Sequence, residues 1–99
     1  MRREQALSLL RGRRDLLEDA GVKDLFLYGS VARDQADAHS DVDLLVEASS
    51  ASFSIFDLVR IKALCQDILG SRAEVHHHGG LQRATAFRDQ ISSDLIRVF

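Results

Sequence analysis

The fold is decided by residues 25–46, which read LFLYGSVARDQADAHSDVDLLV. The apolar run at the start of this stretch predicts a short strand over residues 24–28, buried on both faces. Gly29 and Ser30 interrupt that strand, and only a short helix can follow them. Residues 41–47 alternate between polar and apolar side chains, which predicts a second strand. We expect the two strands to be antiparallel, because a connection of about a dozen residues is too short for a crossover with a full helix.

Outside this stretch, the spacing of apolar side chains predicts helices that alternate with strands. The predicted helices span residues 3–20, 31–35, 53–69 and 81–93, and further strands are predicted over residues 72–77 and 95–99. Alternation of this kind favours an α/β fold, in which helices pack on a small mixed β-sheet. We expect residues 1–99 to form a single domain.

The helix predicted over residues 53–69 is expected to end at Gly70. We expect its core face to carry Phe56, Val59, Ala63 and Leu64. Its start is expected to be capped by Ser49, Ser50 or Ser52. Cys65 lies within this helix and is expected to pack in the core rather than to act as a nucleophile.

Composition excludes several classes of protein. Hydrophobic residues make up 45% of the 99 residues and charged residues 28%, which is typical of a folded chain and not of a disordered one. The longest apolar run, residues 25–28, is too short to span a membrane, and the first residues lack the apolar core of a signal peptide. A single cysteine excludes an intrachain disulfide and favours a cytoplasmic protein. The net charge of −2 gives no reason to expect binding to duplex nucleic acid.

The Gly29-Ser30 pair is a candidate anion site. Glycine has no Cβ, so a phosphate group can approach the backbone at Gly29 closely. The free N–H groups at a helix start, together with the Ser30 hydroxyl, offer hydrogen-bond donors to an anion. Arg33 lies one helical turn further on and can reach the same phosphates.

Asp41 and Asp43 are a candidate metal site beside it. The two residues are two positions apart on a strand, so both carboxylates project from one face, with Cα atoms about 6–7 Å apart. Two carboxylates this close repel each other unless a cation lies between them. Mg²⁺ is the expected cation, because it binds one or two carboxylates together with substrate phosphates. A phosphate site next to a divalent metal is the apparatus of phosphoryl or nucleotidyl transfer.

The combined pattern Gly-Ser, ten residues, Asp-x-Asp resembles the minimal nucleotidyltransferase family of the DNA-polymerase-beta-like superfamily. The resemblance is closest over residues 25–46, and the expected order of elements extends it over nearly all of the chain. It implies the nucleotidyltransferase fold, with ATP as substrate and two Mg²⁺ ions. In that family, Gly29 and Ser30 match the triphosphate-binding pair, and Asp41 and Asp43 match two metal-binding carboxylates. Relatives often carry glycine where this chain has Asp34.

Relatives also carry a third carboxylate on a later strand, usually an aspartate. The matching residue here is Glu74, which the resemblance assigns to catalysis and to the metal site. Strand alternation places Glu74, His76 and His78 on one face and His77 on the other. The longer glutamate side chain leaves a second interpretation open, in which Glu74 is exposed and the domain binds nucleotide but transfers it poorly. The histidine spacing is poor for a closed zinc site and favours a role at the rim of the site.

The resemblance also suggests an acceptor. Stand-alone members of the family are often encoded beside a HEPN-domain ribonuclease toxin and act as its antitoxin by AMPylating a tyrosine of the toxin. We therefore expect an Mg²⁺-dependent nucleotidyltransferase whose partner is a HEPN-domain toxin. Two alternatives are an antitoxin that acts by stoichiometric binding and a transferase that modifies a small molecule such as an aminoglycoside. Nothing in the motif addresses the nucleotide base or the oligomeric state.

Overall fold

A computed structural model describes residues 1–37, 39–77 and 94–99 of the chain. The helices are α1 (Arg3–Arg11), α2 (Arg14–Asp19), α3 (Gly29–Ala32) and α4 (Ile55–Leu69), and the strands are β1 (Val22–Tyr28), β2 (Val42–Ala48), β3 (Ala73–His77) and β4 (Ile96–Arg97). The helix predicted over residues 81–93, and His78, lie outside the described residues. Within the described residues, every helix is too short or too polar to cross a membrane.

The strands form one mixed sheet in the order β3-β2-β1-β4. β1 is antiparallel to β2 and to β4, whereas β2 and β3 are parallel. The predicted antiparallel pairing of the first two strands and the predicted mixed sheet are therefore confirmed. The register places Tyr28 opposite Asp43 and Asp43 next to Glu74. Polar side chains from three strands therefore lie side by side in the sheet.

The two faces of the sheet differ in what covers them. Val42, Leu44 and Val46 of β2 belong to the main hydrophobic core, which also contains buried residues of α1, α2 and α4. Tyr28 and Leu45 form a separate, smaller cluster. Because side chains alternate along a strand, Asp43 lies on the face of this smaller cluster and not in the main core.

The single helix predicted over residues 3–20 is wrong, because α1 ends at Arg11 and α2 begins at Arg14. Gly12 closes α1, and Arg13 leaves helical geometry with φ −120° and ψ 25°. Glycine has a low helix propensity, which makes this the weakest point of the predicted helix. The break changes the orientation of the second half, so Leu16 is 45% exposed although it continues the apolar spacing of α1.

Helix α4 is confirmed, but its predicted face and cap are wrong. Its cap is Ser54, which forms a capping box with Asp57, and its end at Gly70 is left-handed with φ 63°. The core face carries Ile61, Cys65 and Leu69, with Leu64 packed against the core as predicted. Phe56 is 82% exposed and Val59 63%, and Ala63 is also exposed, so none of the three faces the core. The helix carries apolar residues on two adjacent stripes, and periodicity alone does not distinguish the stripe that faces the sheet.

Candidate functional site

The junction between β1 and α3 is shaped by the missing side chain of Gly29. The backbone is extended at Tyr28 and turns left-handed at Gly29, with φ +77°. A Cβ atom at Gly29 would collide with the Asp43 carboxylate and would lie 3.1 Å from its Cγ. Both the backbone angle and this close approach require glycine. The first turn of α3 is therefore held directly against a carboxylate of the predicted metal site.

Asp43 is half-buried on β2, in a setting that disfavours its charge. Burial raises the pKa of the Asp43 carboxyl, and the negative charges of Asp41 and Glu74 raise it further, while His76 and Arg33 act in the opposite direction. The charge of Asp41 acts on Asp43, so the two carboxylates repel each other. A cation placed beside them would relieve both the repulsion and the cost of burial.

Asp41, which immediately precedes β2, has a buried carboxylate oxygen beside an arginine. Its Oδ1 atom is buried and makes no hydrogen bond with the described residues, although the Arg72 Nε atom lies 3.2 Å away at ion-pair distance. Asp41 lines a cleft of about 260 Å³ together with His39, Ser40, Ser71 and Arg72. A buried carboxylate oxygen without a hydrogen bond has a free energy to gain from a cation. The donor chemistry of Asp41 and Asp43 therefore fits Mg²⁺.

Glu74 lies next to Asp43 in the parallel register, but its side chain has another partner. The Lys62 Nζ atom of α4 donates to Glu74 Oε1 at 3.3 Å, and Glu74 is half-exposed. Among the residues that the structure describes, no three His, Cys, Asp or Glu side chains are grouped to hold one ion. β3 is at the edge of the sheet, which lets its side chains reach α4. The structure thus places Glu74 beside the aspartates without joining it to them.

Arg33 closes α3 and is oriented by two hydrogen bonds. Its Nη1 atom donates to Asp94 Oδ2 at 2.6 Å, and its Nε atom donates to Gln35 Oε1 at 3.1 Å. The Asp94 contact joins residues 61 positions apart, and no local pattern indicates it. Ser30 begins the same helical turn, and its carbonyl accepts a hydrogen bond from the Gln35 amide at 2.8 Å.

Tyr28 is a site neighbour that the sequence did not indicate. Its side chain is buried, and its ring centroid lies 6.3 Å from that of His76. Burial, together with the charges of Asp43 and Glu74, raises the pKa of the Tyr28 hydroxyl well above its ordinary value. His77 packs on Phe53, with the ring centroids 4.8 Å apart. His76 therefore borders the carboxylates, whereas His77 does not, as the predicted alternation requires.

Asp34, which stands where relatives often carry glycine, has a backbone conformation that suits glycine. Asp34 has φ +60°, a left-handed conformation that glycine adopts freely and that aspartate tolerates better than most residues. Its Oδ1 atom accepts a hydrogen bond from the Arg3 amide at 3.0 Å. The glycine that relatives often carry here thus matches the backbone angle, and Asp34 compensates with a contact to α1.

Comparisons with known proteins identify relatives of this chain. A curated relative from Methanocaldococcus jannaschii, named "Putative protein adenylyltransferase", is 32% identical over 78 residues, which is 79% of this chain and 81% of the relative. A solved structure described as a "putative minimal nucleotidyltransferase" is 32% identical, covers 91% of this chain and 93% of its own, and superposes with a TM-score of 0.72.

A more distant structure shares the fold. It is described as a toxin-antitoxin with AMP-PNP, is 17% identical, has a TM-score of 0.68 and covers 100% of this chain and 73% of its own. These likenesses confirm the predicted nucleotidyltransferase fold of helices on a mixed sheet. The family model for the nucleotidyltransferase domain matches residues 9–98. The match spans the Gly29-Ser30 junction and the aspartate strand, and the chain belongs to the nucleotidyltransferase domain family.

Proposed function

We propose that this chain is an Mg²⁺-dependent nucleotidyltransferase that uses ATP, transfers its AMP moiety to a hydroxyl group of a partner protein and releases pyrophosphate. The observation that carries the proposal is the contact between the start of α3 and the Asp43 carboxylate, which only glycine at position 29 permits. A triphosphate held at the first turn of α3 would lie beside the carboxylates that hold its metal. This juxtaposition is what nucleotidyl transfer needs.

The binding roles follow from the donors and acceptors at each position. The backbone at Gly29 and Ser30, with the Ser30 hydroxyl, would donate to the phosphates at the start of α3. Arg33 would donate from the other end of the same short helix, where its guanidinium is already oriented. Asp41 and Asp43 would hold the metal through their carboxylate oxygens. When bound, Mg²⁺ neutralises phosphate charge and lowers the pKa of the attacking hydroxyl.

Glu74 is proposed to act on the acceptor side. Its place next to Asp43 in the register brings its carboxylate near the metal-binding pair, where it could accept the proton of the attacking hydroxyl or join the metal. Either role requires that its ion pair with Lys62 opens when substrate binds. The pair is half-exposed, and pairs of this kind contribute little to stability, so opening it costs little.

A protein acceptor is supported by the relatives. The 32% identical relative is named as a protein adenylyltransferase, and a structure with the same fold is described as a toxin-antitoxin. Together with the minimal nucleotidyltransferase resemblance, these names favour a HEPN-domain toxin as the partner and one of its tyrosine hydroxyls as the acceptor. The chain would then act as a cytoplasmic antitoxin.

The experiment is intact-mass spectrometry of a candidate toxin after incubation with ATP, Mg²⁺ and a catalytic amount of this chain. The toxin should gain the mass of one or more adenylyl groups, and the gain should disappear with chelator. The matched control carries Asp41→Asn and Asp43→Asn, which keep size and hydrogen-bonding capacity but remove the charges. Equal modification by this control would overturn the proposal.

A second candidate is an antitoxin that inhibits by stoichiometric binding. The observation that favours it is the Lys62–Glu74 ion pair, which leaves the described residues without a group of three metal-binding side chains. The same experiment separates the two functions. Inhibition of the toxin that needs equimolar protein, and that ATP does not change, would support the binding function.

A further inference from the structure

An ion pair between Arg33 and Asp94 connects the end of α3 to the segment before β4. Asp94 lies just before β4, and its Oδ2 atom accepts a hydrogen bond of 2.6 Å from Arg33 Nη1. The Asp94 side chain is only 21% exposed, whereas that of Arg33 is 44% exposed. The Asp94 side chain is therefore mostly buried, whereas the Arg33 side chain is partly open to solvent.

We infer that Asp94 is a positioning residue, which fixes the Arg33 guanidinium in the orientation that receives the triphosphate. The inference rests on the proposed function. A guanidinium has five N–H donors in a rigid plane, and contacts with Asp94 and Gln35 use two of them. Because the group is planar, fixing two donors fixes the direction of the others. An arginine held in this way loses little conformational entropy when it binds a phosphate.

The geometry of α3 places Arg33 close to the site. The Arg33 amide donates to the Gly29 carbonyl at 3.1 Å, and Gly29 is the residue that lies against the Asp43 carboxylate. The opposite role for Asp94 would be competition, in which the carboxylate occupies donors that the phosphates need. The two roles predict opposite effects of removing Asp94, because positioning strengthens nucleotide binding and competition weakens it.

The chain offers a matched control in a second ion pair. Arg97 Nη1 lies 2.7 Å from Asp24 Oδ1, and the Asp24 side chain is also 21% exposed. This pair connects β4 to β1, as the Arg33–Asp94 pair connects the segment before β4 to α3. Asp24 is near the start of β1, far along the strand from Gly29, which follows its end. Loss of either pair should affect the attachment of β4 similarly, and only loss of Asp94 should affect nucleotide binding.

The test is isothermal titration calorimetry of Mg·ATP with the full chain and with Asp94→Ala, Asp94→Asn, Asp24→Ala, Arg33→Ala and the double variant Arg33→Ala with Asp94→Ala. Positioning predicts that Asp94→Ala weakens binding about tenfold, as loss of a hydrogen bond to a charged group does. Asp94→Asn keeps an acceptor oxygen and should recover part of the loss. Asp24→Ala should change the dissociation constant less than about twofold. Thermal unfolding verifies that each variant is folded.

The double variant separates positioning from a general structural role. If Asp94 acts through Arg33, removing Asp94 should have no further effect once Arg33 is absent. Unchanged or tighter binding by Asp94→Ala, or additive losses in the double variant, would overturn the inference and leave the proposed function intact. Absence of Mg·ATP binding by the unmodified chain would overturn the proposed function and this inference with it.

Discussion

At the scale of single residues, Gly29 is the position where backbone conformation and chemistry meet. Its positive φ disfavours any other residue, and a side chain there would meet the Asp43 carboxylate. The sequence predicted that glycine would let a phosphate approach the backbone. The structure adds that a carboxylate from the neighbouring strand already makes such an approach, so the same residue serves the phosphate site and the metal site.

Gly29→Ala should therefore abolish Mg·ATP binding and also destabilise the fold. The strained backbone alone costs about 1–2 kcal/mol, and the collision with Asp43 displaces a proposed metal ligand. Calorimetry of Mg·ATP binding and urea unfolding measure the two effects.

Gly70→Ala is the matched control for Gly29→Ala. Gly70 also has a positive φ, of 63°, but a Cβ atom there meets nothing within 4 Å. This variant should lose a similar free energy of unfolding and should still bind Mg·ATP. Loss of binding in both variants would mean that backbone strain, and not the contact with Asp43, explains the effect.

Asp43→Asn should stabilise the fold at neutral pH when divalent cations are absent. Burial raises the pKa of Asp43, so the folded state binds its proton more tightly than the unfolded state does. Such a carboxyl lowers stability as pH rises through the interval between its unfolded and folded pKa values, and the loss persists above that interval. The variant should therefore have a higher Tm than the unmodified chain at pH 7, and the difference should disappear at a pH below the unfolded pKa.

Calorimetric or spectroscopic melting curves with chelator measure this difference. Added Mg²⁺ should raise the Tm of the unmodified chain more than that of the variant. A lower Tm of Asp43→Asn at pH 7 would contradict the electrostatic account of the aspartate pair.

At the scale of elements, the C-terminal end of α4 was easier to predict than its first residue or the face that it buries. Gly70 was identified as the end of α4, because glycine is the residue that the left-handed end of a helix favours. The cap at the start was wrong by two residues or more, since several serines precede the helix and only Ser54 has the acidic partner at Asp57. That Ser-x-x-Asp spacing was visible in the sequence and could have identified the cap.

Ser54→Ala should lower the free energy of unfolding by about 1 kcal/mol, because it removes the side chain that accepts from the Asp57 amide. Ser52→Ala is the control, since its hydroxyl is exposed and bonds only with the Ser50 hydroxyl among the described residues. The control should change stability by less than about 0.5 kcal/mol. Urea unfolding monitored by circular dichroism compares the two variants. Equal effects would show that the capping box does not stabilise α4.

The break between α1 and α2 could have been predicted from Gly12, whereas the orientation of α4 could not. The orientation depends on how the helix packs against the sheet, and the spacing of apolar residues indicates only that an amphipathic face exists. In α4, the stripe through Ile61 and Cys65 faces the core, and the stripe through Phe56 and Val59 faces solvent. Local sequence favours neither choice.

At the scale of the whole molecule, the part of the site that lies within one short stretch was predictable, and the part that joins distant residues was not. Gly29 and Ser30 begin α3 directly after β1, Asp41 and Asp43 flank the first residue of β2, and the pairing of these strands follows from the length of their connection. The partners of Arg33 and Glu74 come from elsewhere in the chain. Asp94 and Lys62 meet these residues only because the sheet and α4 bring them there.

The order of the strands explains why three elements converge on one carboxylate. β2 is central, with β1 on one side and β3 on the other, so Asp43 has Tyr28 and Glu74 as its neighbours across the sheet. Helices α1, α2 and α4 contribute to the core that includes Val42, Leu44 and Val46 of β2. Asp43 lies between these residues on the strand, so its side chain is on the opposite face, where the candidate site lies. The separation of core and chemistry in this fold is a consequence of strand alternation.

The turn at Gly29 and the aspartate pair are proposed to bind a metal-complexed triphosphate together. Isothermal titration calorimetry tests this by measuring the affinity for ATP with Mg²⁺ and with chelator. The two proteins compared are the unmodified chain and the variant with both Asp41→Asn and Asp43→Asn. We predict that Mg²⁺ increases the affinity of the unmodified chain and has no such effect on the variant. Equal ATP affinity with and without Mg²⁺, or an unchanged Mg²⁺ effect in the variant, would contradict the account.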